Sequence, residues 1–202
     1  RQQNVSLFGD TNLGGGLIDE RILAHALAAS KDGKALRAVF AESPAWRSYC
    51  ELEARRLKES YFLDEEKWAD APLRRQLTVC YDEPLARELS IGGASIRGMV
   101  EEPIAALGGR SFVGCLQDAL RAAVEVSRAC PPEVVILTGG ASRMAFFQQA
   151  CREAFADALV VLCPEPECSI ARGLAYAGRV DERLSLFRRE VASIAHGEKL
   201  SV

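Results

Sequence analysis

The stretch Val134–Met144, VVILTGGASRM, decides the reading of this chain. Four aliphatic residues run without a break into Thr138-Gly139-Gly140. They predict a buried strand, Val134–Leu137, that empties into a glycine turn. A helix is expected to open near Ser142 and to run through Phe146, Phe147 and Ala150. Such a unit brings bare backbone and a helix N-terminus to one edge of a sheet. In open α/β folds nucleotides sit at that edge, outside the carboxyl ends of the strands. Taken alone, a Gly-Gly pair is also what any tight turn uses, because glycine reaches positive φ without steric cost.

The pattern repeats downstream. A second apolar run, Ala158–Leu162, leads into Cys163-Pro164-Glu165-Pro166-Glu167, and a small-residue helix follows from Ile170 to Ala175. Gly173 in its interior costs about 1 kcal/mol against alanine, which predicts close approach of this helix to something else. Asp181–Ala195 predicts a separate amphipathic helix with Leu184, Phe187, Val191 and Ile194 on one face. The last residues, 196–202, are expected to fray.

Upstream, Val5–Phe8 predicts a short strand, so the chain opens inside a sheet and is expected to be part of a longer protein. GDTNLGGG at 9–16 follows, then a helix with Leu17, Ile18, Ile22, Leu23 and Leu27 at helical spacing. A glycine triplet before a helix exposes N–H groups that can meet a phosphate or ribose; a flexible turn is the plain alternative. The middle of the chain is mainly helical. Helices are expected over Ala35–Phe40, from Ser43 (N-cap) and Pro44 to about Ser60, from Ser95 to Leu107 and from Ser111 to Arg128. Leu73–Tyr81 and Leu85–Ile91 predict a hairpin turning at Asp82-Glu83-Pro84. The β/α alternation at both ends thus flanks an insertion. The expected division is a sheet part over 1–16 and 130–180, an inserted part over 17–129, and a tail over 181–202.

Composition narrows the partners. The 202 residues are 49% hydrophobic and 26% charged, with a net charge of −3, so no basic footprint points to nucleic acid. No apolar run approaches the roughly 18–20 residues that cross a bilayer. Seven cysteines without CxxC spacing, and only His25 and His196 as histidines, argue against a zinc site. They predict a reduced, cytoplasmic protein whose cysteines are mostly small buried hydrophobes.

With these elements in place, the chain resembles the second half of the nucleotide-binding domain of heat-shock-70 (DnaK-type) chaperones, within the actin-like ATPase superfamily. GDTNLGGG at 9–16, LTGGASRM at 137–144 and PECSIARGLAYAG at 166–178 carry the likeness, in the family's order. Glu53, Arg56 and Ser60 resemble the acid, base and hydroxyl with which one helix of that family holds ribose and adenine. Offsets of three and seven share one helix face. Lys58 is the basic member if the register slides by two.

The resemblance implies a ribonuclease H-like, actin-like lobe: a mixed sheet flanked by helices, with an inserted helical subdomain carrying a hairpin. It implies ATP or ADP as ligand, with Arg143 stacking on the base and Gly139 and Gly140 admitting the backbone to the ribose and phosphates. Gly14 and Gly15 would approach from the other side, Glu53, Arg56 and Ser60 would flank the nucleoside, and Ser142 and Glu167 would complete the set. Four departures mark a divergent member, one of them an inserted part that is longer than usual around 63–72. Ala141 stands where the family has a hydroxyl, Glu167 where it has aspartate, and Arg56 where lysine is commoner. The family's phosphate loops, catalytic lysine and Mg-binding aspartates would lie before Arg1. The resemblance therefore implies ATP hydrolysis by an intact parent serving a client or co-chaperone, and no catalytic residue here. Two other readings belong to different classes. One is an actin-like filament or scaffold, whose sign would be an exposed apolar patch around Trp68 and Leu73; the other is a pseudo-ATPase regulatory module. The unpaired edge at Val5–Phe8 leaves room for a homodimer.

Overall fold

A computed structural model of the chain describes residues 12–31, 33–77 and 87–195. The expected strand at Val5–Phe8, the hairpin turn at 82–84 and the frayed end at 196–202 lie outside the described residues.

The fold is mixed α/β. Helix α1 (Gly16–Ala29) buries Ile18, Ile22, Leu23 and Leu27 of the expected spacing, with Ala26 beside them, while Leu17 is only partly buried. After α2 (Gly33–Glu42), Ser43 leaves the helical conformation and Pro44 opens α3 (Pro44–Leu63). The Ser43 side chain makes no capping bond; proline alone sets the start. Asp64 caps the short α4 (Glu65–Trp68), accepting from the Lys67 amide. Strands β1 (Pro72–Leu77) and β2 (Arg87–Gly92) pair antiparallel, with Leu73 opposite Ile91 and Leu77 opposite Arg87. The turn-end residues of the predicted hairpin, 78–81 and 85–86, lie outside the described residues.

Helix α5 spans Gly93–Glu101, and Gly93 has a steric reason: a Cβ there would lie 2.0 Å from the Trp68 carbonyl oxygen. Here the expectation of a helix to Leu107 is corrected. Pro103 disfavours helical backbone at Glu102, which is extended at ψ 151°. The chain instead makes a two-residue ribbon, β3 (Pro103–Ile104) with β4 (Arg110–Ser111). Ser111 then caps α6 (Phe112–Ser127), accepting from the Gly114 amide at 3.0 Å.

The opening stretch forms β5 (Val134–Leu137), the expected strand, but of its four residues only Leu137 is buried, which corrects the reading of a buried strand. A 3-10 helix, Gly140–Arg143, intervenes before α7 (Ala145–Ala154), so the helix starts later than Ser142. The chain returns as β6 (Leu159–Leu162), parallel to β5, with Val134 opposite Leu159 and Leu137 opposite Leu162. Among the described residues each sheet has two strands, so a larger mixed sheet is not seen there. After another 3-10 turn (Pro166–Cys168), α8 runs unbroken over Ser169–Ala195. Two separate helices were expected. Nothing in Tyr176–Val180 stops the first one, since Gly178 weakens a helix by only about 1 kcal/mol. Nor does Gly173 meet a close neighbour among the described residues, since beyond its own stretch of helix none comes within 4 Å of where a Cβ would stand.

The core gathers α1, α3, β1, β2, α5 and α6, and it includes Met144 from the turn after β5. Phe146 on α7 lies 5.8 Å from Phe62 and 6.2 Å from Phe112, which joins the inserted part to the β5–β6 unit. One face of the β5–β6 pair stays uncovered among the described residues: Val134, Ile136, Leu159 and Val161 are all exposed. No helix among those residues is long and apolar enough to cross a membrane.

Candidate functional site

The turns after β5 and β6 meet at the carboxyl ends of the two parallel strands. Gly139 has φ 81° and ψ 148°, a conformation in which a side chain is strained. That backbone lets its amide donate to the Pro166 carbonyl at 2.6 Å, while the Cys163 amide donates to Leu137 at 3.1 Å. The two turns are therefore stitched together by backbone. Ser142 is buried, and its hydroxyl donates to the Gly139 carbonyl at 2.7 Å. It serves the turn and not an open surface. Gly140 packs loosely, with a built Cβ 3.9 Å from that of Glu167.

Arg143 leaves the end of the 3-10 turn and is clamped by Glu167. Its Nε donates to Oε2 at 3.1 Å and its Nη2 to Oε1 at 3.0 Å, with a further contact from Nη2 to the Pro164 carbonyl at 3.4 Å. This is the two-pronged pairing that a planar guanidinium makes with a carboxylate. The arginine hydrogen bond holds the Glu167 carboxyl below its ordinary range. Both side chains are about half exposed, so the clamp fixes one edge of the guanidinium and leaves it open to solvent elsewhere. A parallel contact, Arg172 to Glu165, braces the same turn from α8.

Gly14 and Gly15 form a second group with α3. Gly15 caps α1, and its carbonyl accepts from Lys58 Nζ at 2.9 Å. The same ammonium meets Asp19 Oδ1 at 2.7 Å, and Arg55 approaches Asp19 Oδ2 at 3.4 Å. Lys58 and Asp19 are both buried. Of the α3 bases considered, Lys58 is thus the one at the glycine turn. Beside it a cavity of about 280 Å³ is lined by Gly16, Asp19, Glu20, Ser48, Glu51 and Arg55, among others.

Glu53, Arg56 and Ser60 stand at one-face spacing on α3, but Glu53 is buried against Arg75 of β1 while Arg56 stays about half exposed. Glu53 is 2% exposed; one oxygen accepts from Arg56 and the other from Arg75 at 2.7 Å. Ser60 donates back to the Arg56 carbonyl at 2.8 Å. Both carboxylate oxygens already have partners. Arg75 and Asp19 carry no motif, and only the alternation along β1 and the first turn of α1 could have pointed to them.

A larger cavity, about 640 Å³, lies among the end of α3, the start of α5 and Ala145. Tyr61, Phe62 and Leu63 line one side, Asp64, Glu65 and Arg97 another. The apolar patch expected around Trp68 and Leu73 is not there, since Leu73 is buried and Trp68 packs partly against the core. Among the described residues no group of three His, Cys, Asp or Glu side chains could hold a metal ion. Among the described residues six cysteines are unpaired, and only half of them, Cys50, Cys115 and Cys151, are buried. No protein-family model matches the chain, and no curated protein matches it.

Proposed function

We propose that this chain is an adenine-nucleotide-binding module of the actin-like ATPase type, similar to the second lobe of a heat-shock-70 nucleotide-binding domain. The observation that carries the proposal is the Arg143–Glu167 clamp, set on glycine turns at the carboxyl ends of two parallel strands. A guanidinium held along one edge keeps a flat face for a purine, and the pairing removes most of the rotamer freedom that stacking would otherwise cost. Gly139 and Gly140 let ribose and phosphates approach the backbone. Gly14 and Gly15 would approach from α1, with Lys58 as the cation behind them. Glu53 and Arg56 keep β1 in place in this reading, and Ser60 contributes little, because its hydroxyl is engaged within α3.

No residue is assigned a hydrolytic role, and no Mg²⁺ ligand is named. Phosphoryl transfer needs cations and a positioned nucleophile. In the proposed parent, nucleotide state would signal to a client or co-chaperone protein in the cytoplasm. The test is calorimetric titration of the whole chain with ADP and ATP, repeated on Arg143→Ala. Saturable binding that weakens at least about tenfold in the variant supports the reading. Absence of binding, or binding indifferent to Arg143, removes it.

A further inference from the structure

Helix α8 carries an apolar seam that, over Ile170–Leu186, no other described residue covers. Every residue from Ile170 to Leu186 is exposed, including Ile170 at 68%, Tyr176 at 72% and Leu184 at 48%. The helix is 27 residues long, about 40 Å at 1.5 Å per residue. Along it Ile170, Gly173, Ala177, Val180 and Leu184 alternate three and four residues apart, and Phe187, Val191 and Ile194 continue that spacing in the sequence. This is the heptad pattern with apolar a and d positions. A continuous helix is what brings the two halves into one register.

The charges beside the seam choose the partner. Counting Ile170 as position a, the flanking e positions include Asp181 and Arg188 and the g positions include Arg183, all three exposed. In a parallel pair of copies, g meets the following e, so Arg183 would face Arg188 of the other copy. In an antiparallel pair e meets e, and Asp181 faces Arg188 twice by symmetry. The same alignment places positions 184 and 187 in one layer and 180 and 191 in another, so apolar positions stay matched. Only the antiparallel arrangement satisfies both the seam and these charges.

We infer that α8 is a self-association element: two copies of the chain pair through residues 176–195 as an antiparallel coiled coil with twofold symmetry. The overlap is about 20 residues a side, short for a coiled coil, so dissociation in the micromolar range is expected. Ile170 and Leu174 lie outside the overlap. The inference does not depend on nucleotide binding.

Sedimentation equilibrium of the whole chain over a wide concentration range tests it. A reversible monomer–dimer equilibrium is expected. Leu184→Asp should raise the dissociation constant at least about tenfold, with the far-ultraviolet dichroism of the β-hairpin and helical core retained. Arg188→Glu separates the orientations. It places like charges at Asp181 and should weaken an antiparallel dimer, whereas it would tighten a parallel one by facing Arg183. A Asp181→Arg/Arg188→Asp exchange should restore the antiparallel dimer. A chain that stays monomeric, a dimer indifferent to Leu184→Asp, or one tightened by Arg188→Glu overturns the inference.

Discussion

Arg143 and Glu167 stand 24 positions apart in the chain and are joined by two hydrogen bonds of 3.1 and 3.0 Å, one from Nε and one from Nη2. The pair closes the space between the turns that follow β5 and β6. The first consequence is electrostatic. Because Arg143 holds the Glu167 carboxyl below its ordinary range, the clamp's contribution is present above the unfolded-state pKa. It is lost only as pH falls through the lower folded-state value. In a carboxyl-carbon NMR titration Glu167 should therefore have the lower midpoint in the parent chain, and Arg143→Ala should raise it toward that of a free glutamate.

Gly139 sets the geometry on which the clamp rests. Its φ of 81° with extended ψ is open to glycine and strained for other residues. Gly139→Ala should destabilise the chain by about 1–3 kcal/mol in urea unfolding. Gly140→Ala, with negative φ and no close neighbour, should cost less than the Gly139 change in the same measurement.

The Lys58–Asp19 pair is buried on both sides, at 9% and 5% side-chain exposure. Lys58→Met leaves Asp19 with Arg55 alone and should cost about 3 kcal/mol. Joining it to Asp19→Leu removes the stranded charge and should recover most of that loss. Chemical denaturation of the three variants measures the coupling directly.

Thiol chemistry should follow burial. The Cys50 thiol is pushed up to about 11, chiefly by burial and then by the carboxylates of Glu53 and Glu51. At pH 8 only about one molecule in a thousand would carry its thiolate. Among the described cysteines, timed iodoacetamide labelling read by mass spectrometry should modify the exposed Cys130 and Cys168 first. Cys50, Cys115 and Cys151 should stay protected until the chain unfolds.

Glu53 explains what the sequence hid. Its spacing to Arg56 and Ser60 correctly puts the three on one helix face, because helical periodicity is a local property. Spacing does not say what that face meets. The partner is Arg75 on β1, 22 residues on, and it reaches Glu53 only after α4 and the hairpin have folded back. Urea unfolding should show Arg75→Ala about 1–2 kcal/mol less stable, the cost of a buried carboxylate losing one of two cations. Pro103 is the opposite case. It was legible in the sequence, and its effect on the preceding residue ends α5 six residues before the helical pattern suggested.

The sequence by itself determined the local pieces: an unbroken aliphatic run before glycines made β5, a second made β6, and apolar spacing made α1 and α6. Those signals act within a few residues, through backbone sterics and the burial of one face. The tertiary structure alone decided which distant side chains meet. Parallel pairing of β5 with β6 brings Arg143 to Glu167, docking of α1 on α3 selects Lys58 for the Gly15 turn, and the hairpin claims Glu53. Such contacts depend on strand pairing and helix packing across the whole core, and no residue carries that information until its neighbours are in place.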